Sequence, residues 1–340
     1  MSIKSYSQAI CEALDQEMSR DKRVILIGQD VRGGTGGSAD EEVEAFGGTF
    51  GVTKGLWTKY GSDRVIDTPI SEASTAGMAA GAALTGMRPV FELMFMSFFG
   101  YCYDSIHNQA ARFRYMFGGQ AKTPLVVRGL IGAGLGASGH HAQSPYNVFT
   151  ASPGLKVVCP SNPYDAKGLL IAAIRDDDPV IFCEHMKLLN IKDEVPDESY
   201  EIPLGVANYT RRGNDVTVIA ISSMVSVANN VADKLAKDGI SVEVIDPRSI
   251  SPLDEETILE SVKHTGRVVI VDESAARASI AHDISAMIAQ NIFHNLRAPI
   301  EMVLPPHTPV PFATELENAW LPSETRIEAT ILKILKDNNE

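Results

Sequence analysis

The stretch from Arg64 to Phe98 constrains the fold more than any other part of the sequence. A short β-branched run, Arg64–Asp67, ends at a Thr-Pro breaker, which indicates a strand. Ser71 then precedes Ala73–Leu84, a run of mostly small residues that predicts a helix capped by Ser71 and packed closely against other backbone. Pro89–Phe95 is an apolar run typical of a strand buried on both faces. We therefore expect a strand, a helix and a strand in this order.

Glu72 lies where the first of these strands gives way to the helix. In an open α/β sheet ligands collect at the carboxyl ends of the strands, so Glu72 is a candidate functional carboxylate. The alternative is structural, because acidic residues in a first helical turn interact favourably with the helix dipole. The residues around Glu72 leave both interpretations open.

Candidate strands and helices alternate along the chain, which predicts an α/β protein with mostly parallel sheets and right-handed crossovers. A polar, acidic connector interrupts the alternation. We therefore predict a first domain at residues 1–190, a linker at 191–204 and a second α/β domain at 205–340.

Two local predictions accompany this division. The aromatic-rich segment Met96–Phe117 is expected to form one long helix. Val206–Arg211 and Asp215–Ile221 are expected to pair as a hairpin, because Arg212-Gly213-Asn214 between them carries turn residues.

The composition indicates which kinds of partner the protein can bind and in which cellular compartment it is expected. The formal net charge of −13, from 43 acidic and 30 basic residues, argues against nucleic acid and against an anionic membrane surface as partners. No apolar run approaches membrane-spanning length, and the N-terminus is typical of an amphipathic helix and not of a leader. The four cysteines are scattered without metal-ligand spacing, so we expect reduced thiols and a cytoplasmic protein.

A glycine-rich loop at residues 129–141 ends in His140 and His141. An imidazole on such a loop suits acid–base chemistry near neutral pH, and a surface pair without a task is the alternative. Gly132, Gly134 and Ala137 fit the dinucleotide spacing G-x-G-x-x-A, but the loop does not follow the first strand of the chain and no helix clearly begins inside it.

Three further segments each allow two interpretations. The acidic turn Arg175–Pro179 suits a hard cation, held by carboxylates and helix-end carbonyls, or is simply solvated. The proline-rich segment Pro305–Pro311 suits an interface or a stiffened loop. The long loop Gln29–Gly51 is expected to be functional or mobile.

Several segments together are specific for one known family: Val65–Glu72, Gly51–Leu56, Glu92–Phe95, Phe113–Gly119, Pro153–Val158, Asp165–Leu170 and His307–Phe312. On these segments the chain resembles, over nearly its whole length, the beta subunits of the thiamine-diphosphate-dependent 2-oxo acid dehydrogenases. FRYMFGG, VVCPSNPYDAKGLL and IFCEH are most similar to the acetoin dehydrogenase branch. The resemblance implies two three-layer α/β domains, one a transketolase-like pyrimidine-binding domain and one a transketolase C-terminal domain.

The resemblance also implies site residues. Glu72 matches the glutamate that hydrogen-bonds the aminopyrimidine ring of thiamine diphosphate, and Met94 and Phe98 match residues that pack on that ring. His141 matches the active-site histidine, which orders its loop and handles protons or the acyl-accepting lipoyl group. The positions around a structural potassium ion, bound mostly through main-chain carbonyls, are matched by Leu125, Ala173, Ile174, Asp176 and Asp178.

The partners follow from a motif that this sequence lacks. It has no Gly-Asp-Gly followed by a distant Asn, the pattern with which these enzymes hold Mg²⁺ and the diphosphate. In the family this pattern lies on the alpha subunit. The resemblance therefore implies an α2β2 heterotetramer whose alpha subunit holds most of the Mg²⁺ site, and docking to a lipoyl-bearing acyltransferase core.

The sequence departs from its relatives where substrate and lipoyl group are expected to enter. Ser97 replaces an aspartate common in the acetoin branch, Leu135-Gly136 replaces Phe-Arg, Ala276-Arg277-Ala278 replaces Pro-Arg-Cys, and His140-His141-Ala142 replaces Gln-His-Ser. Our hypothesis is a subunit that cleaves acetoin and passes the acetyl group to lipoamide. The alternatives are a pyruvate or branched-chain 2-oxo acid dehydrogenase subunit, a non-catalytic scaffold, and a nicotinamide-dependent dehydrogenase.

Overall fold

The structure is a computed structural model and describes residues 1–33 and 47–336, so much of the loop predicted at Gln29–Gly51 lies outside the described residues. In chain order the strands are β1 Ser2–Ser5, β2 Val24–Gln29, β3 Val65–Thr68, β4 Arg88–Phe95, β5 Val126–Ile131, β6 Lys156–Val158, β7 Val180–His185, β8 Lys192–Val195, β9 Asn208–Arg211, β10 Val216–Ala220, β11 Val242–Asp246, β12 Ser249–Ser251, β13 Val268–Val271 and β14 Glu301–Val303. The α-helices are α1 Tyr6–Arg20, α2 Leu56–Tyr60, α3 Glu72–Leu84, α4 Phe99–Tyr103, α5 Phe113–Met116, α6 Ser138–His141, α7 Tyr146–Thr150, α8 Pro163–Arg175, α9 Met224–Ala236, α10 Glu255–Thr265, α11 Ile280–Ile292, α12 Thr314–Trp320 and α13 Glu324–Lys336.

By its internal contacts the chain divides into two units. Unit 1 comprises Met1–Ile131 and Val148–Leu204, and unit 2 comprises Gly132–Asn147 and Gly205–Glu340. Residues 132–147, which include the glycine-rich loop from Gly132 onward, therefore group with the second unit although they lie inside the first predicted domain along the sequence.

Unit 1 is built on six parallel strands in the order β6-β7-β5-β4-β2-β3. β5 and β7 are buried along their whole length and rich in Val and Ile, as expected for strands covered by helices on both faces. The chain leaves β2 toward β3 on one side and leaves β4 toward β5 on the other. The carboxyl ends of the adjacent strands β2 and β4 therefore form a switch point, where ligands bind in sheets of this kind.

The strand–helix–strand prediction for the stretch from Arg64 to Phe98 is confirmed by β3, α3 and β4. Ser71 is the N-cap of α3, but the predicted side-chain cap is wrong, because its hydroxyl donates to the carbonyl of Pro69. One face of α3 is buried, and the other is exposed in this chain. The exposed face carries Ala73, Ser74, Gly77, Met78, Gly81 and Leu84.

The prediction of one long helix over Met96–Phe117 is wrong. The segment consists of a 3₁₀ turn at Met96–Phe98, then α4, a π-helical stretch at Asp104–Ala110, and α5. Such π-helical interruptions occur frequently at functional sites. The aromatic pattern is compatible with helix throughout, so it did not reveal the change in helix type.

The connector between the predicted domains is bonded to unit 1. β8 pairs antiparallel with the N-terminal strand β1. The fully buried Lys167 donates hydrogen bonds to the carbonyls of Pro196, at 2.6 Å, and Glu198, at 2.9 Å. Gly168 lies so close to Tyr200 and Ile202 that a β-carbon there would come within 2.7 Å of both side chains. The connector is thus fixed by specific contacts on α8.

Unit 2 contains a five-stranded sheet in the order β14-β13-β10-β11-β9, parallel except for β9. The predicted hairpin is wrong, because β9 pairs with β11 and not with β10. The chain after β9 passes the start of β11, where Asn214 and Asp215 donate main-chain hydrogen bonds to the carbonyl of Ser241. Gly213 allows this passage, since a β-carbon there would lie 2.2 Å from the backbone of Val242.

The described parts of the chain were also searched for membrane spans. Within residues 1–33 and 47–336, the helices fall short of the length and apolar character needed to cross a membrane.

Candidate active site

Glu72 is the first residue of α3 and follows the carboxyl end of β3. Its side chain is half-buried. Burial and then the charge of Glu72 raise the pKa of the buried Cys102 thiol to about 12, which shows that the carboxylate lies within electrostatic range of Cys102. A carboxylate in such a partly dehydrated place gains more from a ligand's hydrogen bond than one in water.

Met94 lies at an irregularity near the end of β4. Its φ angle is +60°, in the left-handed region that residues other than glycine rarely adopt. The pairing of β4 with β5 shifts register between Glu92 and Phe95, and such bulges re-aim a side chain. The hydroxyl of Thr49 lies 4.0 Å from the Met94 sulfur. Conformations of this kind cluster at binding sites, so Met94 stays a candidate site residue.

Phe98 belongs to a short chain of aromatic rings. Phe95 contacts Phe50 on one side and Phe98 on the other, both edge to face with ring centroids 5.6 Å apart. Such pairs stabilise by about 0.5–1.5 kcal/mol beyond the area that they bury. The three rings form a continuous apolar surface next to Met94 in unit 1.

The topology brings Glu72, Met94 and Phe98 to the same edge of the sheet. Glu72 follows β3 and Met94 lies near the end of β4, with only β2 between these strands. Two strand spacings amount to about 10 Å. At the end of β2, a β-carbon on Gly28 would lie 2.9 Å from both the β-carbon and the carbonyl oxygen of Glu92. Glycine at this position therefore lets the loop after β2 approach β4 closely.

A buried ion cluster, not anticipated from the sequence, links β4, β5 and β7. Arg128 donates to both carboxylate oxygens of Glu184, at 2.7 and 2.8 Å, and also to Glu92. Burial raises the pKa of Glu92 against the opposing effect of Arg128. Burial also lowers the pKa of Arg128, but Glu184 and Glu92 outweigh it and raise that pKa above its usual value. The available sequence signal was a charged residue in the interior of each of three apolar strands.

His141 is the last residue of the short helix α6 in unit 2. Ser138, the first residue of that helix, has a φ of +64°. Beyond the histidine, the hydroxyl of Ser144 donates to Glu273 at 2.8 Å, and that of Tyr146 donates to Asp272. Both carboxylates are buried at the carboxyl end of β13. The segment after His141 is therefore tied to the sheet of unit 2.

The amides of the glycine-rich loop are used within the protein. Gly134 and Gly136 donate their N–H groups to the two carboxylate oxygens of Glu317, at 2.7 and 2.9 Å. In the dinucleotide fingerprint, main-chain amides of this kind face a bound pyrophosphate. In the stretch that carries the spacing of Gly132, Gly134 and Ala137, the amides of Gly134 and Gly136 bind an internal carboxylate instead.

Comparisons with known proteins cover both units. Two domain families match, described as "Transketolase, pyrimidine binding domain" over residues 3–192 and "Transketolase, C-terminal domain" over residues 205–327. The acetoin:2,6-dichlorophenolindophenol oxidoreductase subunit beta of Cupriavidus necator is 55% identical, over 98% of this chain and 97% of that protein. The chain belongs to the beta-subunit family of the thiamine-diphosphate-dependent 2-oxo acid dehydrogenases.

Other members of the beta-subunit family extend the likeness. The oxidoreductase subunit of the same name from Bacillus subtilis is 51% identical, over 98% of this chain and 97% of that protein. The pyruvate dehydrogenase E1 component subunit beta of Bacillus subtilis is 43% identical, over 97% and 98%. A solved structure titled "Split gene transketolase, inactive beta4 tetramer" has a TM-score of 0.77 at 19% identity, over 97% and 98% of the two chains. It confirms the predicted transketolase-like, two-domain α/β fold.

The acidic turn after α8 is surrounded by positively charged side chains of the same chain. Arg88 donates to the carbonyls of Ile174, at 3.0 Å, and Asp176, at 2.9 Å. The carboxylates of Asp176 and Asp178 pair with Lys156 and Arg114. Two of the main-chain oxygens predicted to hold potassium, those of Ile174 and Asp176, therefore already accept hydrogen bonds from Arg88, although a carbonyl oxygen has a second lone pair. In the described ranges no cluster of His, Cys, Asp and Glu side chains is arranged for a metal ion.

Proposed function

We propose that the chain is the beta subunit of the thiamine-diphosphate-dependent component of an acetoin dehydrogenase complex. Acetoin would be cleaved to acetaldehyde and an acetyl group, and the disulfide of lipoamide would be reduced as its sulfur accepts that acetyl group. The observation that carries this proposal is the identity of 55% and 51% to two acetoin:dichlorophenolindophenol oxidoreductase beta subunits, against 43% to a pyruvate dehydrogenase subunit.

The side chains at the switch point of unit 1 fit thiamine diphosphate. The half-buried carboxylate of Glu72 offers an acceptor for a nitrogen-bound proton of an aminopyrimidine. Met94 offers a polarizable thioether and Phe98 an apolar ring, which suit a flat heterocycle. When bound, the cofactor supplies a carbon nucleophile and an electron sink.

Each residue of this chain would have a distinct task. Glu72 would hold a proton at the pyrimidine nitrogen and fix the orientation of the ring. Met94 and Phe98 would pack on the ring and exclude water. His141 would move protons at the substrate or at the lipoyl group that accepts the acetyl group, because an imidazole changes charge near neutral pH.

We also infer that an alpha subunit completes the enzyme as an α2β2 heterotetramer and supplies most of the Mg²⁺ and diphosphate site. The exposed face of α3 supports a partner, because Met78 is 46% and Leu84 39% exposed there. Tyr115 is 91% and Met116 67% exposed. A lipoyl-bearing acyltransferase core would receive the acetyl group. The described cysteines are all free thiols, which suits a cytoplasmic setting.

A pyruvate or branched-chain 2-oxo acid dehydrogenase is the second candidate. The 43% identity to pyruvate dehydrogenase subunits over nearly the whole chain favours it, as does the departure at Ser97. The Ser97 hydroxyl is buried and makes no hydrogen bond within the described residues. A hydroxyl in place of a carboxylate lowers the negative charge that a substrate would meet.

Dye reduction by the reconstituted enzyme tests the proposal. This chain, its alpha partner and a mixture of the two would each be assayed with thiamine diphosphate and Mg²⁺, first with acetoin and then with pyruvate. We expect activity only in the mixture and a higher kcat/KM for acetoin. A tenfold preference for pyruvate would contradict the acetoin assignment, and activity of this chain alone would contradict the shared site.

A further inference from the structure

Glu317 lies at the centre of an unusual contact in unit 2. Gly132, Gly134 and Gly136 all have positive φ angles, of 99°, 109° and 67°, and this alternation turns the amides of Gly134 and Gly136 toward one point. The carboxylate of Glu317 occupies that point, with one oxygen for each amide. Glu317 is 1% exposed, so its carboxylate is shielded from water, and the two donor glycines are half-buried. Main-chain amides that converge on one point in this way form a concavity that binds an anion.

The helix that carries Glu317, α12, also contacts the proline segment Pro305–Pro311. Trp320, one turn further along α12, donates its indole N–H to the hydroxyl of Thr308 at 3.2 Å. The adjoining proline segment packs on the loop, because a β-carbon on Gly139 would lie 3.4 Å from the β-carbon of Pro309. The proline segment, open to two interpretations from the sequence, thus backs the glycine-rich loop within unit 2.

His141 lies between two positions of the chain that are held by hydrogen bonds. On its N-terminal side, Gly136 is bonded to Glu317. On its C-terminal side, Ser144 is bonded to Glu273. Glycine-rich segments lose more conformational entropy on ordering than others, and anchors on both sides of the histidine help to offset that cost.

We propose that Glu317 is a positioning residue that holds the glycine-rich loop in the conformation in which His141 acts. The inference rests on the proposed function for the role of His141, whereas the anchoring itself does not. A carboxylate is needed here, because both donors are N–H groups and only an ionised acid presents two acceptor oxygens. An amide would set its own NH₂ group against one of the two glycine amides.

Hydrogen exchange of the full chain tests the anchoring directly. Glu317→Gln should make the peptide covering residues 132–141 exchange about tenfold faster, because it breaks one charge-assisted hydrogen bond and weakens the other. Glu315→Gln is the matched control, since Glu315 lies on the same helix and is exposed. Equal exchange in wild type and Glu317→Gln would overturn the proposal. If Glu317→Gln does not fold, Glu317→Asp keeps both acceptors on a shorter arm and should exchange at an intermediate rate.

A double-mutant cycle in the assembled enzyme tests the link to His141. We expect Glu317→Gln and His141→Ala each to lower kcat for lipoamide acetylation by about tenfold or more, with little change in thiamine diphosphate binding. If Glu317 acts through His141, the double variant should be no slower than His141→Ala alone. Losses that multiply would mean that Glu317 supports the fold generally, which overturns the positioning role. Full activity of His141→Ala would refute the proposed role of His141 and, with it, the positioning role, while the exchange result would still report on the anchor.

Discussion

Arg128 and Glu184 form a two-pronged ion pair, with N–O distances of 2.7 and 2.8 Å and side chains only 3% and 0% exposed. Both charged groups are therefore largely shielded from solvent. The pair crosses from β5 to β7, and Arg128 also reaches Glu92 on β4, the strand that carries Met94.

Arg128→Met should therefore strongly destabilise the protein. It leaves two buried carboxylates without their cation, and removal of one partner from a buried pair costs about 3–5 kcal/mol. Urea unfolding of the isolated chain measures this free energy. Arg23→Met is the matched control, because Arg23 pairs with Asp21 while 58% exposed, and exposed pairs contribute about 0–1 kcal/mol. Equal losses in the two variants would contradict the importance of burial.

Glu72→Gln should abolish most turnover while leaving assembly with the alpha subunit intact. Gln is similar in shape but cannot exchange a proton with the pyrimidine ring, and such proton transfers contribute about 10²–10⁴-fold to a rate. Dye reduction and gel filtration measure the two properties. Glu255→Gln is the control, since Glu255 is also the first residue of a helix, α10, and is exposed. Unchanged turnover in Glu72→Gln would contradict the catalytic assignment.

The strand–helix–strand stretch that contains Glu72 was predictable because its signals are local. β-branched runs, a Thr-Pro breaker and a string of small residues all act within a few positions of the chain. Glu317 could not be linked to the glycine-rich loop in this way, because more than 180 positions separate it from Gly134. The predicted hairpin is wrong for a related reason. Its turn residues are present in the sequence, but Gly213 is needed because the chain passes close to the backbone of β11 there. The roles of Glu72, Met94, Phe98 and His141 came from family resemblance and stay predictions.

The cysteines of the folded chain should react slowly with alkylating reagents. Burial, followed by the charge of Asp15, raises the pKa of Cys11 to about 11, and the pKa of Cys102 is about 12. The thiolate is the reactive form, so these shifts reduce it by about a hundredfold or more at pH 8. Cys159 and Cys183 are almost wholly buried. Mass spectrometry after timed iodoacetamide labelling, in buffer and in urea, measures the rates. A thiol that reacts equally fast in both would contradict this prediction.

Asp272→Asn should change how the stability of the protein depends on pH. Burial raises the pKa of Asp272 above 3.8, although hydrogen bonds from Ser274 and Tyr146 oppose the rise. A carboxyl whose pKa is higher in the folded state contributes most to stability below pH 3.8, and this contribution is lost as pH rises through the folded pKa. The free energy of unfolding of wild type minus that of Asp272→Asn should therefore fall as pH rises from about 4, and then level off. Urea unfolding at several pH values measures the difference, and a difference that grows with pH would contradict the sign.

Potassium should raise the melting temperature more than sodium does at equal ionic strength. The predicted ligands, Leu125, Ala173, Ile174, Asp176 and Asp178, offer main-chain oxygens, and a ligand that binds only the folded state stabilises it. One kcal/mol corresponds to about 1–2 °C in a protein of this size. Calorimetry in the two chlorides makes the comparison. Equal melting temperatures would contradict the predicted potassium site.

The hydrogen bonds from Lys167 to the carbonyls of Pro196 and Glu198 determine where the chain can be divided into separate domains. A gene shortened after residue 190 would leave the buried ammonium group of Lys167 with Glu12 but without the carbonyl oxygens that solvate it, and it would remove β8, the strand that pairs with β1. A gene that ends after Leu204 keeps both. For a protease or for recombination between genes, the workable seam therefore lies after the connector and not before it.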